Sequence, residues 1–199
     1  MKARITMPKI FTDEEREKKR IQMFGAGLDL IKKNGYTHAS IEKIAEAAGL
    51  GKSTFYNFFS SKEDFMAQLI EHGHKAFWEY VDERRDTQGM LSADAMKEIL
   101  RAIIYNADSP YQYMTSEEKR KVLRSQSDDL SPDLDEETQI LKALFSQCNG
   151  VRADPDYAEI SNLLKLLAEA AGDREIFHSA GYERMMNDIY ELLFEKVFE

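Results

Sequence analysis

The sequence predicts an all-helical protein built from a small basic amino-terminal module and a larger acidic one. Three observations lead there. Apolar residues recur at three- and four-residue steps through most of the chain. Alternating runs rich in Val, Ile and Thr, the mark of strands, are absent. Charge is unevenly shared: residues 1–62 hold 12 Lys/Arg against 7 Asp/Glu, net +5, and the remainder holds 15 against 29, net −14, so an overall charge of −9 hides a basic end.

The helices can be justified in order from start and stop signals. Thr12 caps a first helix, with Asp13, Glu14 and Glu15 in its first turn, and Asn34-Gly35 ends it after Lys33. Gly25 and Gly27 lie inside it, and Gly27 suggests close approach by a neighbouring helix. A second helix follows Ser40 and stops at Gly49. A short third runs from Gly51 to Phe58. Ser61 opens a fourth, with Asp64 reaching back as in a capping box, and it continues to Arg85. A fifth fits Ala93–Asn106, broken by Ser109-Pro110. Thr115, backed by Glu118, caps a sixth running to Ser127. Ser131-Pro132 and Asp154-Pro155 each place proline at the first position of a helix, the seventh and eighth, which Asn149-Gly150 and Gly172 close. A ninth runs from Ala180 to the end of the chain.

The 199 residues can form a core without disulfide or metal staples. Cys148 is the single cysteine, which excludes an internal disulfide and a multi-cysteine zinc site and suits a reducing, cytoplasmic setting. No apolar run nears the ~18 residues of a membrane span. The opening MKARITMPKI is basic but lacks the apolar stretch of a secretory signal.

Residues 40–59, SIEKIAEAAGLGKSTFYNFF, carry the strongest motif. Ile41, Ile44 and Ala48 share one face of the second helix. Leu50, Phe55 and Phe59 can pack on it, Ala45 permits a close crossing, and Gly49 permits a left-handed turn. This is the layout of a helix-turn-helix, whose second helix enters a DNA major groove. The solvent face of that helix, Lys52, Ser53, Thr54, Tyr56 and Asn57, contains no carboxylate. Lysine and hydroxyls suit phosphate oxygens, and Asn suits an adenine edge. Lys62 stands at the start of the fourth helix, where free N–H groups favour phosphate.

The segment NGYTHASIEKIAEAAGLGKSTFYNFFSSKEDF resembles the DNA-binding domain of the TetR/AcrR transcriptional regulators. The matching residues are Gly35-Tyr36, Ser40-Ile41, Ile44-Ala45, Ala48-Gly49, Lys52, Thr54, Phe55-Tyr56, Phe59 and Ser61-Lys62-Glu63. Gly51 and Ser53 depart from that family's pattern, in which a serine and a glycine stand there, so operator sequence does not carry over. The resemblance implies phosphate contacts from Lys52, Tyr56 and Lys62, groove-facing Ser53, Thr54 and Asn57, and backbone contacts from Thr37 and Ser40. Tyr36, Phe55 and Phe59 are expected in the core. It implies three regions: a flexible arm over 1–11, a DNA-binding domain over 12–61, and a helical ligand-binding and dimerisation domain over 62–199. The fourth helix then serves as the lever between the two domains.

In the acidic part, Ile160, Leu163, Leu164 and Leu167 form one apolar stripe, and Met186, Ile189, Tyr190, Leu193 and Val197 another. They are expected to pair across a two-fold axis in a homodimer. Phe77, Trp78, Met96, Tyr105, Tyr111, Tyr113, Met114 and Phe145 are candidate lining for a small apolar or aromatic effector, each with a competing place in the core. The expected partners are thus operator DNA, a second copy of the chain and that effector, with no cofactor, no metal and no membrane. The expected function is a ligand-responsive repressor; the alternative is a helical regulator answering to a protein partner. Catalysis is not expected. His72 and His74, two apart on one helix, face apart, and neither a phosphate-cradling loop nor a nucleophile elbow is present.

Overall fold

The computed structural model describes residues 11–106, 108–124 and 134–198. Among them are nine α-helices: α1 (Asp13–Asn34), α2 (Ile41–Ala47), α3 (Lys52–Phe55), α4 (Lys62–Asp82), α5 (Ala93–Ile104), α6 (Ser116–Arg124), α7 (Leu134–Phe145), α8 (Tyr157–Gly172) and α9 (Ser179–Val197). Single 3-10 turns cover Pro110–Tyr113 and Arg174–Ile176. Residues 1–10 of the expected arm 1–11, the end of the sixth helix at Ser127 and the Ser131-Pro132 start of the seventh lie outside the described residues, while Phe11, the last residue of that arm, packs against the amino-terminal core.

Local chemistry accounts for most boundaries. Thr12 and Glu15 form a reciprocal capping box at the start of α1. Thr115 and Glu118 form another at α6: the Thr115 N–H donates to Glu118 Oε2 at 2.7 Å, and the Glu118 N–H donates to Thr115 Oγ1 at 3.3 Å. Ser61 caps α4, accepting from the Asp64 N–H at 3.0 Å. Asp64 reaches one residue further back than expected, accepting from the Ser60 N–H at 2.6 Å and the Ser60 hydroxyl at 2.9 Å. Pro155 is not the first residue of α8. Asp156 is the cap, its Oδ1 accepting from the Glu159 N–H at 2.9 Å, so α8 begins two residues beyond the proline. A carboxylate placed to accept decides the start where a permissive proline does not.

Two hydrophobic cores form. The amino-terminal core holds Met23, Phe24, Ile31, Tyr36, Ile44, Ala45, Phe55, Phe59 and Phe65, and draws in Met66, Leu69 and Ile70 from the first half of α4. The second core holds Val81 from the far end of α4 together with α5, α7, α8 and α9. The α4 helix therefore belongs to both, and the first core does not stop at residue 61. Backbone bonds from the connecting segments pin the larger part: the Leu91 N–H donates to Gln147 O at 2.7 Å, and the Arg152 N–H donates to O of Val197, the last residue of α9, at 2.9 Å.

The expected dimer stripes are mostly in the wrong phase. Ile160, Leu164, Leu167, Met186, Tyr190, Leu193 and Val197 are buried inside the protomer. They are covered by their own fold and are not available to a partner. Leu163 and Ile189 are only half-buried. With Met185 (half-buried), Leu166 (52% exposed) and Leu192 (40% exposed) they mark a second apolar stripe on the outer side of α8 and α9. A helix with two apolar stripes gives the same three- and four-residue rhythm for both, so periodicity alone did not choose between them.

The expected effector lining does not converge either. Met96 and Phe145 are fully buried in the second core, with Phe77 and Trp78 at its margin. Tyr111, Tyr113 and Met114 pack instead with the amino-terminal core, and Tyr105 is 55% exposed. Pro110 turns the chain after α5 so that this segment leaves the second core and joins the first.

The tightest point of the first core tests the account. A Cβ at Gly27 would overlap the Phe65 ring, standing 2.9 Å from Cε1 and closer still to Cζ, whereas one at Gly25 meets nothing within 4 Å. Phe65 is fully buried and cannot swing away. Overpacking costs ~1–3 kcal/mol and the gain in helix propensity is at most ~1 kcal/mol. Gly27→Ala should therefore lower unfolding stability by about 1–2 kcal/mol, and Gly25→Ala should leave it equal or higher, both read by urea denaturation.

Candidate nucleic-acid interface

The reading head is assembled by short-range rules and then locked by long-range contacts. In the α2–α3 turn, Gly49 sits at φ +65°, a left-handed conformation that a side chain would strain. The Leu50 N–H returns to Ala45 O at 2.8 Å, and Gln22 of α1 donates its Nε2 to Ala48 O at 2.8 Å. The orphan carbonyls at the end of α2 are thus satisfied from both sides.

The recognition helix is a single turn, shorter than the expected Gly51–Phe58. Phe55, Phe58 and Phe59 all point inward, spaced i, i+3 and i+4 as on one helical face, yet the regular helix stops at Phe55. The chain instead tightens after Phe55, with the Asn57 N–H on Thr54 O at 3.1 Å and the Phe58 N–H on Phe55 O at 2.9 Å. Arg16 of α1 donates its Nη2 to Asn57 O at 3.2 Å and lies 5.0 Å from the Phe58 ring centroid. Arg16 and Gln22 thus anchor the motif. Neither was singled out from the sequence, because only the tertiary fold brings α1 to these carbonyls.

With the rings turned in, Lys52, Ser53, Tyr56 and Asn57 are left exposed and Thr54 half-buried on the outer face. Tyr56 keeps 48% exposure while its ring meets Phe55 edge-on at 5.8 Å, so it packs and presents its hydroxyl together. One acidic group intrudes. Glu42 of α2 pairs with the Lys52 ammonium. The hydrogen bond raises the lysine above its ordinary range and holds the Glu42 carboxyl below the usual carboxylate range. The face is thus free of carboxylates within α3 itself, with one from the preceding helix at its edge.

Three other expected contacts are engaged within the protein. The Ser40 side chain caps α2, accepting from the Lys43 N–H at 3.3 Å. The Thr37 hydroxyl donates to Glu118 Oε1 of α6. The Lys62 ammonium donates to Tyr36 O, lies 3.5 Å from Thr37 O, and sits 3.9 Å from the Tyr36 ring centroid. Burial lowers the Lys62 pKa. Lys62 is therefore a staple across the α1–α2 turn in this structure, whereas Lys52 reaches into solvent. Cys148, away from this face, has its thiol pushed up to about 11 by burial, so it is protonated at neutral pH.

Comparison with known proteins finds relatives of the amino-terminal part and of the fold. A family model described as bacterial regulatory proteins, tetR family, matches residues 24–69. The fatty acid metabolism regulator protein of Bacillus subtilis is 31% identical over 70 residues, 35% of this chain and 36% of that protein. The transcriptional regulator TcmR of Streptomyces glaucescens is 32% identical over 85 residues, 43% of this chain and 37% of that protein. The chain thus spans little more than a third of the length of these curated relatives. Over nearly the whole fold, the fatty acid degradation regulator FadR of Bacillus halodurans superposes with a TM-score of 0.58 at 17% identity, covering 94% of this chain and 97% of that one. NalD of Pseudomonas aeruginosa, described as the secondary repressor of a multidrug efflux pump, gives 0.57 at 16% identity, covering 92% and 98%.

The two lysines should separate in a stability measurement. Lys62→Met removes a half-buried ammonium from two backbone carbonyls, at a cost of about 1–2 kcal/mol. Lys52→Met removes only an exposed pair and should leave the melting midpoint unchanged. Thermal denaturation followed by circular dichroism reads both.

Proposed function

We propose that the chain is a TetR-family repressor that binds a palindromic DNA site as a homodimer and is released by a small apolar or aromatic effector. The observation that carries the reading is the recognition turn. Phe55, Phe58 and Phe59 bury one side of it, and the other presents Lys52, Ser53, Tyr56 and Asn57 to solvent. Such a face supplies a cation and hydroxyls for phosphate and an amide for a base edge. Lys52 must exchange the Glu42 carboxylate for phosphate as it binds. The matched relatives are described as a fatty acid metabolism regulator protein and a transcriptional regulator.

A single recognition turn reads few base pairs, so specificity calls for two heads on successive major grooves, ~34–36 Å apart. The second apolar stripe on α8 and α9 supports the pairing of two copies. Leu163, Leu166, Met185, Ile189 and Leu192 leave apolar surface uncovered where two such helices can form a four-helix bundle across a two-fold axis. An effector that favours a different spacing of the heads weakens DNA binding through its differential affinity for the two states.

Two expected outcomes follow. Lys52→Ala and Tyr56→Ala should each weaken DNA binding by about tenfold in fluorescence anisotropy, with the dimer intact, and Lys52→Ala should flatten the log–log salt slope by ~0.9 per lost phosphate contact. Leu166→Asp combined with Leu192→Asp should yield a folded monomer in sedimentation velocity, because these side chains are exposed in the protomer and an unpaired charge is costly only across an interface. A variant that is folded and still dimeric would contradict the proposed stripe.

A further inference from the structure

The α4 helix is not the only connection between the two cores. The segment after α5 makes a second one. Ile104 is fully buried in the second core. Four residues on, Asp108 pairs with Lys32 in the last turn of α1. The Tyr36 N–H then donates to Tyr113 O at 3.3 Å. Met114 and Val122 are buried in the amino-terminal core, with Tyr111 and Tyr113 packed against it. The last link is the hydrogen bond from the Thr37 hydroxyl to Glu118.

The polar contacts land on the end of α1 or on the turn Gly35–Ala39, and α6 itself packs against α4. That turn sets the start of α2: Ala39 is fully buried, its N–H bonds Tyr36 O at 3.2 Å, and the next residue is the α2 cap, Ser40. The Glu118 carboxylate is well placed to hold it. Oε2 is fixed by the Thr115 N–H and Oε1 accepts from Thr37, so both oxygens are used. Burial raises its pKa, but the hydrogen bonds from Thr37 and Thr115 outweigh this and keep the group below its ordinary value, hence ionised at neutral pH.

We propose that Glu118 is a positioning residue for DNA binding: from α6 it holds the α1–α2 turn through Thr37, and so makes residues 108–122 a strut that ties the orientation of the reading head to the part of the chain that follows α5. The proposal rests on the DNA-binding reading above. Thr37 is then not free to meet phosphate as long as the strut is engaged. A shift of α5 reaches the head through α6 and the α1–α2 turn as well as along α4, on which α6 packs.

The test is a double-mutant cycle on the full-length dimer. The probe is a duplex that the wild-type chain selects from a random DNA pool. Affinity is read by anisotropy, and amide exchange is read over residues 36–40. Glu118→Ala should lose about tenfold in affinity and speed exchange at 36–40 without changing exchange in α8 or α9. Glu118→Gln, whose amide oxygen can still accept from Thr37, should stay within about threefold of wild type. Thr37→Val should show the same loss while leaving the α6 capping box whole, and Thr37→Ser should restore binding. In the Thr37→Val background, Glu118→Ala should cost less than about twofold more. Wild-type affinity and exchange in Glu118→Ala would overturn the proposal, as would an undiminished loss in the Thr37→Val background. Should Glu118→Ala fail to fold, Thr37→Val against Thr37→Ser decides on exchange and affinity alike. A wild-type chain that selects no duplex overturns the DNA-binding reading instead, and exchange at 36–40 then decides the strut alone.

Discussion

Everything outward-facing in the reading head depends on one packed group of rings. Phe24, Phe55, Phe59 and Phe65 meet pairwise with centroids 5.0–5.8 Å apart, in tilted and edge-on arrangements. Aromatic pairs of this geometry add ~0.5–1.5 kcal/mol each beyond the area they bury. The group joins α1, the recognition turn and α4, and it fits because Gly27 has no side chain where Phe65 lies. A recognition helix of one turn has almost no stability of its own. It exists because Phe55, Phe58 and Phe59 fasten its inner side, and that fastening turns Lys52, Ser53, Tyr56 and Asn57 toward solvent.

The same economy explains the layout beyond the head. The first half of α4 completes the amino-terminal core and its far end enters the second, so a tilt of α4 moves both. Residues 108–122 make a second connection after α5. Two attachments at different places on the head constrain its angle more than one can, and angle is what a dimer must control to place two recognition turns on one DNA face.

Much of this was legible in the sequence, and the reason is locality. Capping by Thr12, Ser40, Ser61 and Thr115, the left-handed Gly49, and the inward phase of Ile44, Phe55 and Phe59 are each set by residues within a few positions. What the sequence did not show was long-range. Lys62 matched a phosphate-binding pattern, but the carbonyls of Tyr36 and Thr37 take its ammonium. Tyr111, Tyr113 and Met114 had the composition of a pocket, but Pro110 carries them to the other core. On α8 and α9 the rhythm was right, but it did not tell which side packs in the protomer, where Leu164 is buried and Leu166 exposed. The strut from Asp108 to Glu118 left no local signal beyond a capping box, because its partners lie more than seventy residues earlier in the chain.

The central claim is that the solvent face of the recognition turn reads DNA in a two-fold arrangement. The most direct measurement is anisotropy titration of the wild-type chain against a selected duplex and a scrambled one, at several salt concentrations. The account predicts saturable binding at two protomers per site, a palindromic selected sequence, and affinity that falls linearly in log–log form with salt, by ~0.9 per phosphate contacted. Equal, weak binding to both duplexes, or none at ~50 mM salt, would contradict it.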